Sequence, residues 1–234
     1  MIEAPKQNLK SVQRLILRGI VDKLPTHSDA FGFVKGRNCL QAASRHAGKD
    51  VVVCFDLRDF CPSIGMGRIF GLFRCLGYPH AVAQYLTALC TTSTPPRILE
   101  RLNFEDRSSY RKPHLPQGSP SSPALANHVS FALNRRLSAF ANSLDAHYRR
   151  YADDLSISGG RHIVGSLLRL VPQIVREEGF TLNQAKTRLM SRTSRQMVTG
   201  VVVNEYLNID RKSFDQLKAI THACGKTDDT RLFG

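Results

Sequence analysis

Acidic residues are scarce in this chain: 19 Asp and Glu stand against 33 Lys and Arg among 234 residues, a formal net charge of +14. A deficit of that size favours polyanionic partners, nucleic acid foremost and acidic membrane surfaces second, although charge also serves solubility alone. No continuous apolar run is long enough to span a bilayer, and the N-terminus alternates charged with apolar residues where a signal peptide carries an apolar core. A soluble, cytoplasmic protein without a membrane partner is the expectation. The six cysteines (Cys39, Cys54, Cys61, Cys75, Cys90, Cys224) include no C-x-x-C pair, and the eight histidines form no zinc-ligand cluster with them. Structural zinc is not expected, and the thiols read as small buried hydrophobes. Internal repeats and low-complexity segments are also missing.

What is present is apolar content, 42%, sufficient to bury a core in one large domain or two small ones. The basic residues recur in groups, Lys6/Lys10/Arg14/Arg18, Arg107/Arg111/Lys112 and Lys186/Arg188/Arg192/Arg195, which describes a folded basic surface better than a tail. Leu9, Val12, Leu15, Ile16, Ile20 and Leu24 follow Pro5 with helical period up to Pro25, a basic amphipathic helix. Val51 to Phe55 is a mostly β-branched run that reads as a buried central strand ending at Asp56.

Gly67 to Leu76 and Pro79 to Cys90 read as helices, Thr91 to Ser122 as a long Pro-rich basic loop, and Ala124 to Leu144 as one helix. A further helix carries Ile163, Leu167, Val171, Ile174 and Val175, kinked or restarted at Pro172, and a strand follows over Met197 to Val203. This order predicts an α+β fold, a sheet with helices on one face.

The run His147-Tyr-Arg-Arg-Tyr-Ala-Asp-Asp-Leu-Ser-Ile-Ser-Gly sets adjacent carboxylates, Asp153 and Asp154, at the tip of a β-hairpin. Like charges so close repel, and a hard divalent ion such as Mg²⁺ would neutralise them; a plain polar turn is the competing explanation. Asp56 lies 97 residues earlier, also at a strand end. Side by side in one sheet, Asp56 and Asp153 would build a two-metal site for in-line displacement by a 3′-hydroxyl on a triphosphate, the chemistry of nucleotide polymerisation.

With these residues in hand, the chain resembles the palm of bacterial reverse transcriptases, especially the retron and group II intron-like lineages, over nearly all of its length. Phe55-Asp56-Leu57-Arg58-Asp59-Phe60 looks like motif A, Leu115-Pro-Gln-Gly-Ser-Pro-Ser-Ser-Pro123 with Asn127 like motif B, and Tyr151-Ala-Asp-Asp154 like motif C. Gly179-Phe180, Leu182-Asn183 and Lys186-Thr187 are similar to motif D, and Val198-Thr199-Gly200 to a segment that retron enzymes use on their own structured RNA. The resemblance implies a polymerase palm, its antiparallel sheet backed by helices. Partial fingers would occupy 1–50, the palm 51–204 with a finger-like helical insertion at about 66–115, and the palm end and start of a largely absent thumb 205–234. It implies two Mg²⁺ ions held by Asp56, Asp153, Asp154 and the Leu57 carbonyl, with Lys186 meeting the leaving pyrophosphate. Leu57, Phe60, Cys61, Gln117 and Gly118 would line the nucleotide. Val198, Thr199 and Gly200 would contact RNA, as would Arg14 and Arg37, which together with Lys6 are also candidates to grip the triphosphate in place of a missing fingers hairpin.

Departures from the pattern carry their own expectations. Cys61 stands where the family usually has a second Phe that excludes a 2′-hydroxyl, so discrimination against ribonucleotides should be weaker. Ala42-Ala43-Ser44-Arg45-His46 is an Asn-Ala-x-x-His signature without its asparagine, which weakens the retron assignment against group II-like and defence-associated relatives. The function implied is RNA-directed DNA polymerisation from dNTPs, extending a primer hydroxyl on an RNA template, with retron-type RNA-linked DNA for phage defence as its setting. A cognate structured noncoding RNA and an effector protein are the further partners of such a setting. The alternatives are a truncated, weakly active or inactive palm acting as an RNA-binding scaffold, and an RNA-templated RNA polymerase.

Overall fold

A computed structural model describes residues 1–227; the side chain of Cys224 and the last residues of the expected thumb start lie outside what it describes. Four strands, β1 (Val51–Asp56), β2 (His147–Tyr151), β3 (Asp154–Gly159) and β4 (Arg188–Ser191), form an antiparallel sheet in the order β2-β3-β1-β4. The β-branched run of β1 is paired on both edges, so all six of its residues are buried.

Alternation divides β1 between two cores. Val51, Val53 and Phe55 join Leu155 and Ile157 in the large core. Val52 and Cys54 face the other way and join Ala43, Met190, Val198, Val201 and Val203 in a smaller one. Each such aliphatic or aromatic side chain contributes about 1.5–3 kcal/mol when taken fully out of water.

Helices α1 (Gln7–Gly19), α3 (Met66–Cys75), α4 (His80–Cys90), α7 (Ser122–Val129), α8 (Phe131–Ser143) and α9 (Val164–Glu177) build the large core, and α2 (Cys39–Ser44) lies against the smaller one; α5 (Pro96–Leu99), α6 (Phe104–Tyr110) and α10 (Arg211–Thr227) contribute described residues to neither. A three-stranded antiparallel sheet, β5 (Met197–Val198), β6 (Val201–Val202) and β7 (Asn208–Ile209), closes that second face. The α+β expectation holds, and the second face is covered as well as the first.

Several local expectations are corrected. Helix α1 stops at Gly19 and passes into a 3₁₀ turn at Val21–Lys23. Its inward face buries Ile16 together with Gln13, while Val12 and Leu15 are exposed. Gln13 is stable there because its amide donates to the Leu89 carbonyl (2.8 Å) and accepts from Ser119 Oγ (2.7 Å).

The single helix expected over Ala124 to Leu144 is two, broken where Ser130 sits at φ −84°, ψ 9°. The long loop before it contains α5 and α6. The strand expected over Met197 to Val203 is a hairpin, turned by Thr199 (φ 48°) and Gly200 (φ 82°), the pair of positive φ values that a tight two-residue hairpin requires. Helix α9 runs on through Pro172 instead of restarting. Pro172 is on the exposed side, where water can take up the carbonyl it leaves unbonded. No helix among the described residues is long and apolar enough to cross a membrane.

Candidate active site

Register brings the acids together. In the antiparallel ladder Asp56, the last residue of β1, lies opposite Asp154, the first of β3. Asp154 is also opposite Tyr151, so the tip of the hairpin is Ala152-Asp153, not Asp153-Asp154. Ala152 takes positive φ (54°), the twist a two-residue turn needs at its first position. The Leu57 N–H donates to the Asp153 carbonyl (2.9 Å), pinning the turn to the end of β1.

On the other side, the Asn183 N–H donates to the Asp56 carbonyl (2.8 Å), and Lys186 from the following 3₁₀ turn places Nζ 2.9 Å from Asp56 Oδ2. Asp56 is buried, at 7% exposure, while its partner ammonium reaches in from solvent.

The electrostatics are those of an undercompensated acidic cluster. Burial pushes the Asp153 carboxyl above the ordinary carboxylate range, and the charge of Asp56 pushes it further. Asp154 is raised by burial and then by Asp153 and Asp56. The hydrogen bond to Asp56, with the nearby acids, raises the Lys186 ammonium.

Among the described residues, no three acidic, histidine or cysteine side chains are already drawn around one point. The donor set nevertheless fits a divalent cation with oxygen ligands. Three carboxylates repel one another, and one of them already holds a cation, the Lys186 ammonium, as a stand-in.

The site opens into a cavity of about 740 Å³ lined by Asp56, Leu57, Phe60, Cys61, Gln117, Gly118, Asp153 and Lys186, among others. Asp154 is not among the lining residues. Phe60 is buried against Phe180 (ring centroids 5.8 Å apart) and presents little of its ring. Cys61 is half-buried, its thiol pushed up to about 11 by burial and by Asp153.

The Gln117-Gly118 loop is set from below by the N-terminal segment: the Glu3 N–H donates to the Gln117 carbonyl (2.7 Å). Gly118 has φ 125°, and a Cβ there would come within 3.1 Å of Ile2 Cγ2. The proposed RNA contacts lie apart from the cavity lining. Arg14 is exposed on α1, while Arg37 spends Nη1 on the carbonyls of His27, Ser28 and Ala30. Val198 is buried, and Thr199 Oγ1 donates to the Cys39 carbonyl (3.4 Å).

The sequence reading passed over the residues that brace the turn. Arg150 is fully buried; Nη1 donates to the Ala152 carbonyl (2.7 Å), Nη2 to Asn127 Oδ1 (2.8 Å) and Nε to Asn134 Oδ1 (2.8 Å). Asn127 in turn donates to the Gly32 carbonyl (3.0 Å), and Gly32 packs so closely that a Cβ would stand 2.2 Å from the Ala152 nitrogen. Alternation along β2 was the available signal, since it puts Arg150 on the same face as Tyr148.

An antiparallel sheet with acids gathered at its strand ends, backed by helices, is a polymerase palm. The family described as "Reverse transcriptase (RNA-dependent DNA polymerase)" matches residues 1–216, and the chain belongs to that family. Its relatives include the Retron Mx65 reverse transcriptase of Myxococcus xanthus, 40% identical over 98% of this chain and 54% of its own length. Retron Mx162 reverse transcriptase, from the same organism, is 39% identical over 94% and 49%. Retron Ec86 reverse transcriptase of Escherichia coli is 33% identical over 97% and 67%.

The chain thus spans about half the length of the Myxococcus relatives. Among solved structures, telomerase from Candida albicans in complex with a fragment of telomeric RNA aligns with a TM-score of 0.52 at 13% identity, over 87% of this chain and 38% of that one. That likeness bears on the fold alone. The family generally uses divalent metal ions.

Proposed function

We propose that the chain is the palm-bearing part of an RNA-directed DNA polymerase that extends a primer hydroxyl with dNTPs. The observation that carries this is the register that sets Asp56 beside Asp154 and the Asp153 turn, with Asp56 and Asp153 lining a cavity large enough for a nucleotide. Two Mg²⁺ ions held by Asp56, Asp153, Asp154 and the Leu57 carbonyl would supply nucleophile activation and charge neutralisation in the in-line displacement.

The chain's own groups do the rest. Lys186, at the cavity wall, is placed to turn from Asp56 towards the leaving pyrophosphate and stabilise its charge. Gln117 and Gly118, which line the same cavity, would bound the nucleotide, with Cys61 beside the sugar and Phe60 as its buried support.

Residues 1–50 act as partial fingers, 51–204 as the palm with a helical insertion at about 66–115, and the remainder as the palm end leading into a thumb. RNA template and primer are the macromolecular partners, with Arg14, Arg37 and the Val198-Thr199-Gly200 hairpin as contacts. The retron relatives support a setting in which a cognate structured RNA is both template and primer.

Primer extension on an RNA template with Mg²⁺ tests this. Wild type should extend, and Asp153→Asn should lose on the order of 10³-fold in rate while still binding RNA. Equal extension by both proteins, or none by either despite RNA binding, would refute the assignment.

A further inference from the structure

The β2–β3 hairpin has an acidic turn and, at its other end, a basic depression that polymerisation does not use. At about 3.3 Å per residue, His147 lies roughly 17 Å along β2 from the turn. There a polar cavity of about 310 Å³ is lined by Arg45, His147 and Arg149, by Ser138 and Asn142 of α8, and by Asp29.

Its charge is unbalanced. Asp29 is already engaged, accepting from Arg149 Nη1 and lying 3.8 Å from His27 Nδ1. Arg149 Nε is buried and has no hydrogen-bond partner among the described residues. Lys49, Arg45 and Arg149 all act on the His147 imidazole and, after burial, hold its pKa below the ordinary value, with Asp145 opposing them. Burial lowers the Arg149 pKa, Asp29 opposes it by charge and by hydrogen bond, and Arg45 and Arg37 lower it further. A tetrahedral anion in the depression would meet the Arg45 and Arg149 guanidiniums and the hydroxyl and amide donors of Ser138 and Asn142, beside an Asp29 carboxylate already paired with Arg149.

We propose that this depression docks one phosphate of the RNA backbone, away from the polymerisation cleft. The proposal rests on the reading of the chain as an RNA-dependent enzyme. The occupant is a phosphodiester in preference to a lipid headgroup because the lining is polar throughout, with no apolar rim to take an acyl chain. A phosphate held here would fix the path of RNA across the outer side of the sheet.

Arg45 is the residue to remove, because it is exposed and belongs to neither core. Binding of a fluorescein-labelled single-stranded RNA is followed by anisotropy over a range of KCl concentrations for wild type, Arg45→Gln and Arg135→Gln, the last an equal charge change at an exposed position of α8. For Arg45→Gln, affinity at 0.15 M salt should fall about threefold to fivefold. The slope of log K against log salt should flatten by about 0.7, one phosphate contact on a single strand. Arg135→Gln should keep the wild-type slope.

Equal slopes for the two variants would overturn the proposal. So would saturable submillimolar binding of inorganic phosphate to the RNA-free protein that Arg45→Gln abolishes, because the site would then serve a free anion. If wild type extends primers and Arg45→Gln leaves the salt slope unchanged, this inference fails alone; if wild type neither binds RNA nor extends, the polymerase reading fails with it.

Discussion

Arg149 and Arg150 are neighbours in β2, and the pleat sends them to opposite faces of the sheet. Arg150 goes inward and is fully buried, where its guanidinium meets the oxygens of Asn127, Asn134 and Ala152 and lies 5.5 Å from the Phe60 ring centre. Arg149 goes outward to Asp29 and the basic depression, where its side chain keeps 18% of its surface in water. Burial pulls the Arg150 pKa below the ordinary arginine value, with Tyr148 and Asp153 pulling the other way. Its hydrogen-bond partners are amide oxygens, so the inner face uses a cation as a five-donor fork to fix geometry. The outer face uses the same side chain for its field. One strand thereby serves rigid placement of the acids on one side and recognition of anions on the other.

The largest effect should come from the inner face. Arg150→Met keeps the bulk and removes the donors, leaving the Ala152 carbonyl and the Asn127 oxygen short of partners and the Asn134 oxygen with the Tyr148 hydroxyl alone. The expected destabilisation is about 3–5 kcal/mol by denaturant titration. Extension should fall on the order of 10²-fold even below the unfolding transition, because the turn that carries Asp153 is no longer held. Arg149→Met should cost far less stability. Similar losses for the two variants would dissolve the distinction between the faces.

Gly32→Ala probes the same turn from outside the strand. The added Cβ would meet backbone, not a side-chain end, 2.2 Å from the Ala152 nitrogen. One of the two segments must move, at a cost of about 2–3 kcal/mol. Extension should drop with it. A variant of wild-type stability and rate would mean that the contact between Gly32 and the turn is dispensable.

The outer face makes a prediction about pH. His46 is fully buried, its Nδ1 2.7 Å from Ser158 Oγ and its Nε2 without a partner, and burial followed by Arg149, His147 and Lys49 lowers its pKa to about 3. The folded state keeps it neutral, while the unfolded chain takes up a proton below the ordinary value of 6.5. Its contribution is therefore intact above pH 6.5 and is lost as the pH falls towards 3, by about 2 kcal/mol at pH 5. Thermal melts of wild type and His46→Gln at pH 7.5 and pH 5 should show the gap between them narrow or reverse as the pH drops. A gap that does not change with pH would mean that His46 is not kept neutral by the fold.

The contrast between Arg149 and Arg150 also marks what could be read from the sequence. The β-branched run of β1, the acids at its end and at the β2–β3 turn, and the helices after β1 were legible, because adjacent residues determine them. Asp56 and Asp153 were expected side by side in one sheet; the strand partner of Asp56 is Asp154, and Asp153 sits in the turn just beyond it. The brace was not legible, because nothing next to Arg150 announces that Asn127 and Asn134, on α7 and α8, will supply its acceptors. Gln13 failed for the same reason: it occupies a core position only because Leu89 and Ser119 satisfy it. The break at Ser130 and the turn at Thr199-Gly200 are single backbone angles inside apolar runs, to which a periodicity argument is blind. Phe60 was expected at the nucleotide, and the structure places most of its ring in the core.

The smallest predicted effect lies at the cleft, next to that buried ring. Cys61 follows Phe60 on the cavity wall and is half-buried, and its thiol, pushed up to about 11, stays protonated at neutral pH. Its influence there is accordingly one of volume and not of charge or nucleophilicity. Cys61→Phe would fill the space beside the sugar while leaving Phe60 packed on Phe180 and Arg150. A hydroxyl that now fits should then meet the new ring, and the preference for dNTP over rNTP, measured as a ratio of kcat/KM, should rise about tenfold, the scale of a steric change in an apolar pocket. Cys61→Ser, nearly the same size, should leave the ratio as it is. An increase with Ser would point to polarity, and no change with Phe would place the sugar away from this wall, leaving the rigid inner face to position the acids without setting which nucleotide they act on.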